Sequence, residues 1–174
     1  EHDRNATAVL VTDNPELADK VSKEIERQIP TLPRAEIARE SIDKNGRIII
    51  ANSLEQAVDI SNTLAPEHLE ICTDEPFRFL DRIRNAGSVF LGRYCPEALG
   101  DYMAGPNHTL PTSGTARFSS PLSVDDFVKK SQFSYFTKQS LEPLYNSVSV
   151  FARKEGLVAH ARSAEVRFEG VDKQ

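Results

Sequence analysis

The sequence predicts an α/β protein in which short, mostly parallel strands alternate with helices, followed by a helical C-terminal tail. Between residues 7 and 92, four short apolar runs alternate with segments whose apolar residues recur every three or four positions. Strands joined by helical crossovers pair in parallel. Beyond a long stretch rich in proline and glycine, the patterns are mainly helical.

The first predicted unit is a strand followed by two helices. Thr7–Thr12 is a compact apolar run, which is typical of a buried strand. Asn14 and Pro15 are a capping residue and a first-turn proline, so they predict a helix start. Pro30 ends this helix, and a second helix is expected over 34–43, ending at Asn45–Gly46. The apolar face of the first helix repeats every four residues, at Leu17, Val21, Ile25 and Ile29.

Three more strands follow with helices between them. Arg47–Ala51 is the second predicted strand, and Ser53 with Gln56 has the spacing of a capping box at the start of the next helix. Pro66 ends that helix. In sheets of this kind ligands gather beyond the carboxyl ends of the strands. The remaining elements expected here are strands over 68–73 and 88–92 with a helix over 76–83 between them.

The chain changes character after Gly100. Residues 100–123 contain three prolines and three glycines and are expected to form one long ordered loop. Helices are predicted over 124–130, 141–154 and 157–163, and Val166–Phe168 is predicted to be a final strand.

Composition excludes several classes of protein. The net charge of −5 argues against a nucleic-acid surface, and no apolar run approaches the roughly 20 residues of a membrane span. The first residues contain no apolar segment typical of a signal peptide. Because the chain lacks an initiator Met and its first strand-like run starts after only a few residues, we expect a piece of a longer protein. Cys72 and Cys95 do not have metal-site or disulfide-framework spacing; we expect reduced thiols, with Cys72 buried, in a cytoplasmic protein.

Histidines are the best candidates for a functional site. The chain has no glycine-rich motif of the kind that binds phosphates, so the sequence alone predicts no dinucleotide site. The chain has four histidines, each beside polar or acidic residues: His2, His68, His108 and His160. Any one of them, like Glu67, Asp101 or Glu155, is more often a surface residue than a functional group. The residues by themselves therefore predict no more than an α/β domain with a His/Asp/Glu site.

Five stretches, in this order, resemble the histidinol dehydrogenase family and cover most of the chain. They are Ala65–Glu70, Asn85–Gly92, Gly100–Thr112, Gly114–Phe127 and Glu155–His160. The resemblance implies two successive NAD-dependent oxidations that convert L-histidinol to L-histidine through an aldehyde. It also implies that residues 1–122 are the C-terminal half of a split, incomplete Rossmann-like domain, and that residues 123–174 are a helical dimerisation tail.

The resemblance also assigns roles to particular residues. His68 is implied to be the general base and Glu67 to activate water for the second oxidation, which suits an imidazole and a carboxylate. The resemblance implies one zinc ion per active site, bound by His2, Asp101 and His160. It also implies that the substrate is bound by His108 and Glu155, together with His68 and the three zinc ligands. All four histidines thus fall on functional positions of the family.

Some expected parts of the enzyme are absent from these 174 residues. A further zinc ligand, a glutamine, and the main NAD-binding part lie upstream in the family. We therefore expect no cofactor-binding residues and no turnover from this chain alone. The resemblance further implies a homodimer whose tails, carrying Glu155 and His160, enter the partner's active site. The alternatives are a non-catalytic metal-binding or interaction module with the same fold, and a metal-dependent hydrolase that uses the same side chains without NAD.

Overall fold

The computed structural model describes residues 1–169 and divides the chain into two compact units, Glu1–Val128 and a second unit that begins at Lys129. The first unit contains β1 (Val9–Thr12), α1 (Pro15–Gln28), α2 (Ala35–Asn45), β2 (Arg47–Ile50), α3 (Leu54–Leu64), β3 (His68–Ile71), β4 (Ser88–Leu91) and α4 (Glu97–Tyr102). The second contains α5 (Lys138–Leu141), α6 (Tyr145–Lys154) and α7 (Val158–Glu165). Short 3-10 helices cover Ile29–Thr31, Pro76–Arg82, Thr115–Arg117 and Val124–Phe127.

The strands pair in parallel, as the alternating pattern predicts. β1 pairs with β2 from Val9 opposite Arg47, and β3 pairs with β4 from His68 opposite Ser88. Within residues 1–169 these are two separate two-stranded sheets, not one sheet of four strands. The α/β class is confirmed, while the Rossmann-like arrangement and the domain boundary after residue 122 stay predictions.

Side-chain caps start α1 and α3 at the predicted positions. The Asn14 side chain accepts hydrogen bonds from the backbone N–H groups of Glu16 and Leu17, at 2.9 and 3.2 Å. At α3 the Ser53 hydroxyl accepts from the N–H of Gln56 at 3.2 Å, whereas the Gln56 side chain accepts from Asn52 at 2.6 Å. Each cap satisfies backbone donors that a helix leaves unpaired at its first turn.

The β3–β4 sheet has two different faces because side chains alternate along a strand. One face contributes to the apolar core around Val58, Ile71 and Phe79, onto which Leu69, Val89 and Leu91 pack. The other face carries His68, Glu70 and Phe90, with Glu70 directly opposite Phe90 in the register. The core thus fixes the orientation of the face that carries the histidine.

The structure corrects several expectations in the first unit. Residues 97–102, whose last three residues were expected to be loop, form α4, and Thr115–Arg117 is a 3-10 turn within the same stretch. The helix predicted over 124–130 is only the 3-10 turn Val124–Phe127. Cys72 is exposed because it follows the buried Ile71 and so points to the opposite side; both cysteines are free thiols, as predicted.

The second unit is built around α6 and α7. The helix predicted over 141–154 is divided, because Pro143 cannot continue the hydrogen-bonding of α5 into α6. The predicted strand at Val166–Phe168 is wrong. These residues form turns after α7, where the Phe168 ring stacks on Tyr145 with centroids 4.4 Å apart.

Glu165 links the two helices of this unit. Its carboxylate accepts hydrogen bonds from the Ser149 hydroxyl on α6 and from Arg153, the latter at 2.9 Å. These bonds, with that from Ser149 contributing most, lower the pKa of Glu165 to about 2.

In the described part of the chain no helix combines the length and the apolar character that a bilayer crossing requires.

Candidate active site

His68 is the first residue of β3, and the backbone before it is tightly held. Ala65, at the end of α3, is fully buried and has the left-handed conformation (φ 53°, ψ 60°), which costs a non-glycine residue about 1 kcal/mol. The carbonyls of Pro66 and Glu67 then accept hydrogen bonds from Gly87 and Ser88, at 3.0 and 2.8 Å. These contacts fix the backbone at the point where β3 begins with His68.

Helix α4 lies against the face that carries His68. The Glu70 carboxylate accepts a hydrogen bond of 2.7 Å from the backbone N–H of Glu97, the first residue of α4. A side chain on β3 thereby satisfies one of the free donors at the start of the helix. Glu97 and Asp101, four residues apart, project from the same side of α4.

A glycine allows α4 to approach the sheet closely. A Cβ atom on Gly100 would lie 2.5 Å from Cε1 of Phe90, far inside van der Waals contact. The Phe90 ring is buried and tilted against the His68 imidazole, with centroids 6.0 Å apart. Phe90 therefore contacts both the histidine and the helix that brings the carboxylates to it.

These contacts bring one histidine and two carboxylates together. His68 Nε2 lies 3.6 Å from Glu97 Oε1 and 3.9 Å from Asp101 Oδ1. Within residues 1–169 this is the group of three or more metal-ligating side chains whose ligand atoms all lie within 4.8 Å of one another. An imidazole nitrogen and two carboxylate oxygens are donors that suit zinc.

The two carboxyl groups influence each other. Burial raises the pKa of the Glu97 carboxyl, and a hydrogen bond with Asp101 raises it further. The neighbouring His68 acts in the opposite direction, because a positive imidazolium would favour the ionised carboxylate. The surroundings of Glu97 therefore favour its protonated form relative to a carboxyl group in water.

The structure brings together two of the predicted site residues, His68 and Asp101. It adds Glu97, which the sequence analysis missed. Pro96 followed by Glu97 is the signal of a short helix start, and the spacing to Asp101 places both acids on one face. The cluster lies on a face of the sheet near the start of β3, and not beyond the carboxyl ends of the strands as the general rule for such sheets suggests.

The other predicted residues lie outside this cluster. Glu67 is half-buried next to His68, while His2 and His108 are exposed in the same unit. An Arg34 side chain donates to the backbone carbonyl of His2 at 3.4 Å. Glu155 and His160 are exposed in the second unit, at the end of α6 and within α7. Their roles, like those of the clustered residues, stay predictions.

Known proteins resemble the chain over nearly all of its length. A family model described as histidinol dehydrogenase matches residues 1–168. The chain belongs to the histidinol dehydrogenase family. The resemblance noted in the sequence is therefore confirmed.

Individual histidinol dehydrogenases give the same result. The protein of Bacillus cereus is 60% identical over 169 residues, which are 97% of this chain and 39% of that protein. That of Syntrophotalea carbinolica is 55% identical with the same coverage, 97% and 39%. A crystal structure of histidinol dehydrogenase from Elizabethkingia anophelis matches with a TM-score of 0.90 and 35% identity, covering 99% of this chain and 40% of that one. The chain thus spans about two fifths of the length of these relatives.

Proposed function

We propose that this chain is the C-terminal part of a histidinol dehydrogenase that oxidises L-histidinol to L-histidine with two NAD, and that it works in the cytoplasm. The observation that carries the proposal is the cluster of His68, Glu97 and Asp101, in a chain whose residues 1–168 match the family. Two free cysteines are consistent with a reducing compartment.

His68 serves as the general base in both oxidations. In the first, it takes the hydroxyl proton of histidinol as the carbinol C–H bond breaks, giving the aldehyde. In the second, it takes a hydroxyl proton from the aldehyde hydrate as the C–H bond of that carbon breaks, giving the carboxylic acid. NAD, bound mainly by the upstream part of the enzyme, would accept one hydride in each oxidation. Imidazole exchanges protons readily near neutral pH, and the half-buried ring of His68 is held in place by Phe90.

Glu67 acts between the two oxidations. Its carboxylate accepts a proton from the water molecule that adds to the aldehyde carbon, so that the hydrate forms next to His68. The backbone carbonyl of Glu67 is fixed by the N–H of Ser88 at 2.8 Å, which limits the movement of the residue. The backbone at Glu67 is therefore held in place next to His68.

Zinc is held by His2, Asp101 and His160, with His160 supplied from the tail of the partner subunit in a homodimer. Carboxylate and imidazole donors suit this ion, and Asp101 is one of the three clustered metal-ligating side chains. When bound, zinc supplies a template that orients the imidazole and amino nitrogens of the substrate. His108 and Glu155 complete substrate binding, Glu155 by pairing with the substrate's amino group.

The test uses a full-length protein made by joining this chain to the N-terminal part of the 60% identical Bacillus cereus relative. This fused protein, loaded with zinc, should form two NADH per histidinol consumed, whereas the 174-residue chain alone should form none. Absence of NADH from a folded, zinc-loaded fused protein would refute the function. Product release without NAD would instead indicate a hydrolase, and zinc binding without any turnover would indicate a binding module.

A further inference from the structure

The Nε2 atom of His68 is buried without a hydrogen-bond partner among the described residues. A buried polar atom left unpaired costs about 1–3 kcal/mol, so such atoms in native proteins generally have a role or a partner that moves into place. The candidates are Glu97 Oε1 at 3.6 Å and Asp101 Oδ1 at 3.9 Å. Both distances are longer than a hydrogen bond.

Glu97 is the better placed of the two carboxylates. Asp101 is assigned above to zinc, which would engage its oxygens, whereas Glu97 has no such role. The backbone of Glu97 is fixed by the 2.7 Å bond to Glu70, but its side chain keeps 40% exposure and can turn. A movement of about 0.7 Å brings Oε1 within hydrogen-bond distance of Nε2.

The burial of Nε2 also indicates which nitrogen meets the substrate. The His68 side chain is 26% exposed, yet Nε2 is not part of the exposed surface. The substrate therefore reaches the ring from another side, where Nδ1 is the only other nitrogen. A carboxylate that accepts the Nε2–H leaves a lone pair on Nδ1, the state that a general base requires.

We propose that Glu97 is a positioning residue for His68: its carboxylate accepts a hydrogen bond from Nε2–H and so presents Nδ1 to the substrate. This inference rests on the proposed function, since it names the residue that orients the proposed base. It does not require Glu97 to touch zinc, NAD or histidinol. Carboxylates that orient metal-bound histidines contribute about 10- to 100-fold, and we expect an effect of that size here.

Kinetics of the zinc-loaded fused protein give the first test. Glu97→Ala should lower kcat about 10- to 100-fold while KM for histidinol and zinc content stay close to wild type. Glu97→Gln keeps an acceptor oxygen at the same reach and should recover part of the loss. Glu36→Ala removes another exposed acid from the first turn of a helix, α2, and should leave kcat unchanged.

A second test needs neither zinc nor activity. In the 174-residue chain labelled with ¹⁵N, the imidazole signals of His68, assigned by their loss in His68→Asn, should show the Nε2–H tautomer. Glu97→Ala should move the Nε2 nitrogen and its proton to the chemical shifts of an imidazole without a carboxylate partner, with unchanged circular dichroism as evidence of folding.

The outcomes separate this inference from the proposed function. A wild-type kcat in Glu97→Ala, or loss of zinc from that variant, would overturn the positioning role. Unchanged chemical shifts of the His68 Nε2–H group in Glu97→Ala would overturn it as well. Absence of NADH from the wild-type fused protein would refute the dehydrogenase, while the chemical-shift measurement would still decide whether Glu97 orients His68.

Discussion

Gly100→Ala should disrupt the contact that brings α4 to the face of the β3–β4 sheet. The added Cβ would lie 2.5 Å from Cε1 and 2.7 Å from Cζ of Phe90. Favourable carbon–carbon contact requires about 3.5–4.0 Å, so the ring or the helix must move by about 1 Å or more. Phe90 is only 6% exposed and has little room to move, so we expect the helix to yield.

The expected cost follows from the overlap. Overpacking of this kind lowers the free energy of unfolding by about 1–3 kcal/mol. Movement of α4 would also displace Asp101, the zinc ligand proposed above, so the fused protein should bind zinc more weakly. Urea unfolding of the 174-residue chain measures the first effect, and zinc titration of the fused protein measures the second.

A second substitution tests whether the clash itself is the cause. Phe90→Leu removes both Cε1 and Cζ, at a cost of about 1 kcal/mol on its own. The double variant should then be more stable than the two single effects predict, by about 0.5 kcal/mol or more. Strict additivity, or a Gly100→Ala variant as stable as wild type, would refute the close-packing explanation.

Three further changes test other parts of the structure. Gly87→Ala would put a Cβ 2.6 Å from a backbone carbonyl oxygen, so urea unfolding should show a loss of about 1–3 kcal/mol. Asn14→Ala removes the α1 cap and should cost about 1 kcal/mol without altering zinc binding. Hydrogen bonds from Ser149 and Arg153 hold the pKa of Glu165 at about 2. This stabilisation is complete above the unfolded pKa, near 4.3, and is lost as the pH falls through about 2. Glu165→Gln should therefore unfold at a lower temperature at pH 7 and lose less stability on acidification; a pH dependence equal to wild type would contradict the assignment.

Local signals predicted most of the first unit. Asn14 and Ser53 offer side-chain oxygens that cap a helix wherever they precede an apolar periodic segment, and both caps formed as expected. Parallel pairing followed from the alternation of strands and helices. The strand predicted at Val166–Phe168 is wrong because the Phe168 ring stacks on Tyr145, a residue that is distant in the sequence.

Local sequence patterns predicted less of the candidate site. Helix α4 has six residues, and its position depends on Glu70 and on the contact of Gly100 with Phe90. These are contacts between distant segments, which periodicity does not encode. His68 and Asp101 were named through family resemblance alone, and Glu97 became visible only when the fold placed it beside them.

The most direct test of the account compares two variants of the fused protein, His68→Asn and Asp101→Asn, for zinc content and for NADH formation from histidinol. His68 Nε2 and Asp101 Oδ1 lie 3.9 Å apart, yet we assign the two side chains different roles, a base and a metal ligand. We predict that His68→Asn retains zinc and loses turnover, whereas Asp101→Asn loses both. Equal loss of zinc in the two variants, or full turnover by His68→Asn, would contradict the account.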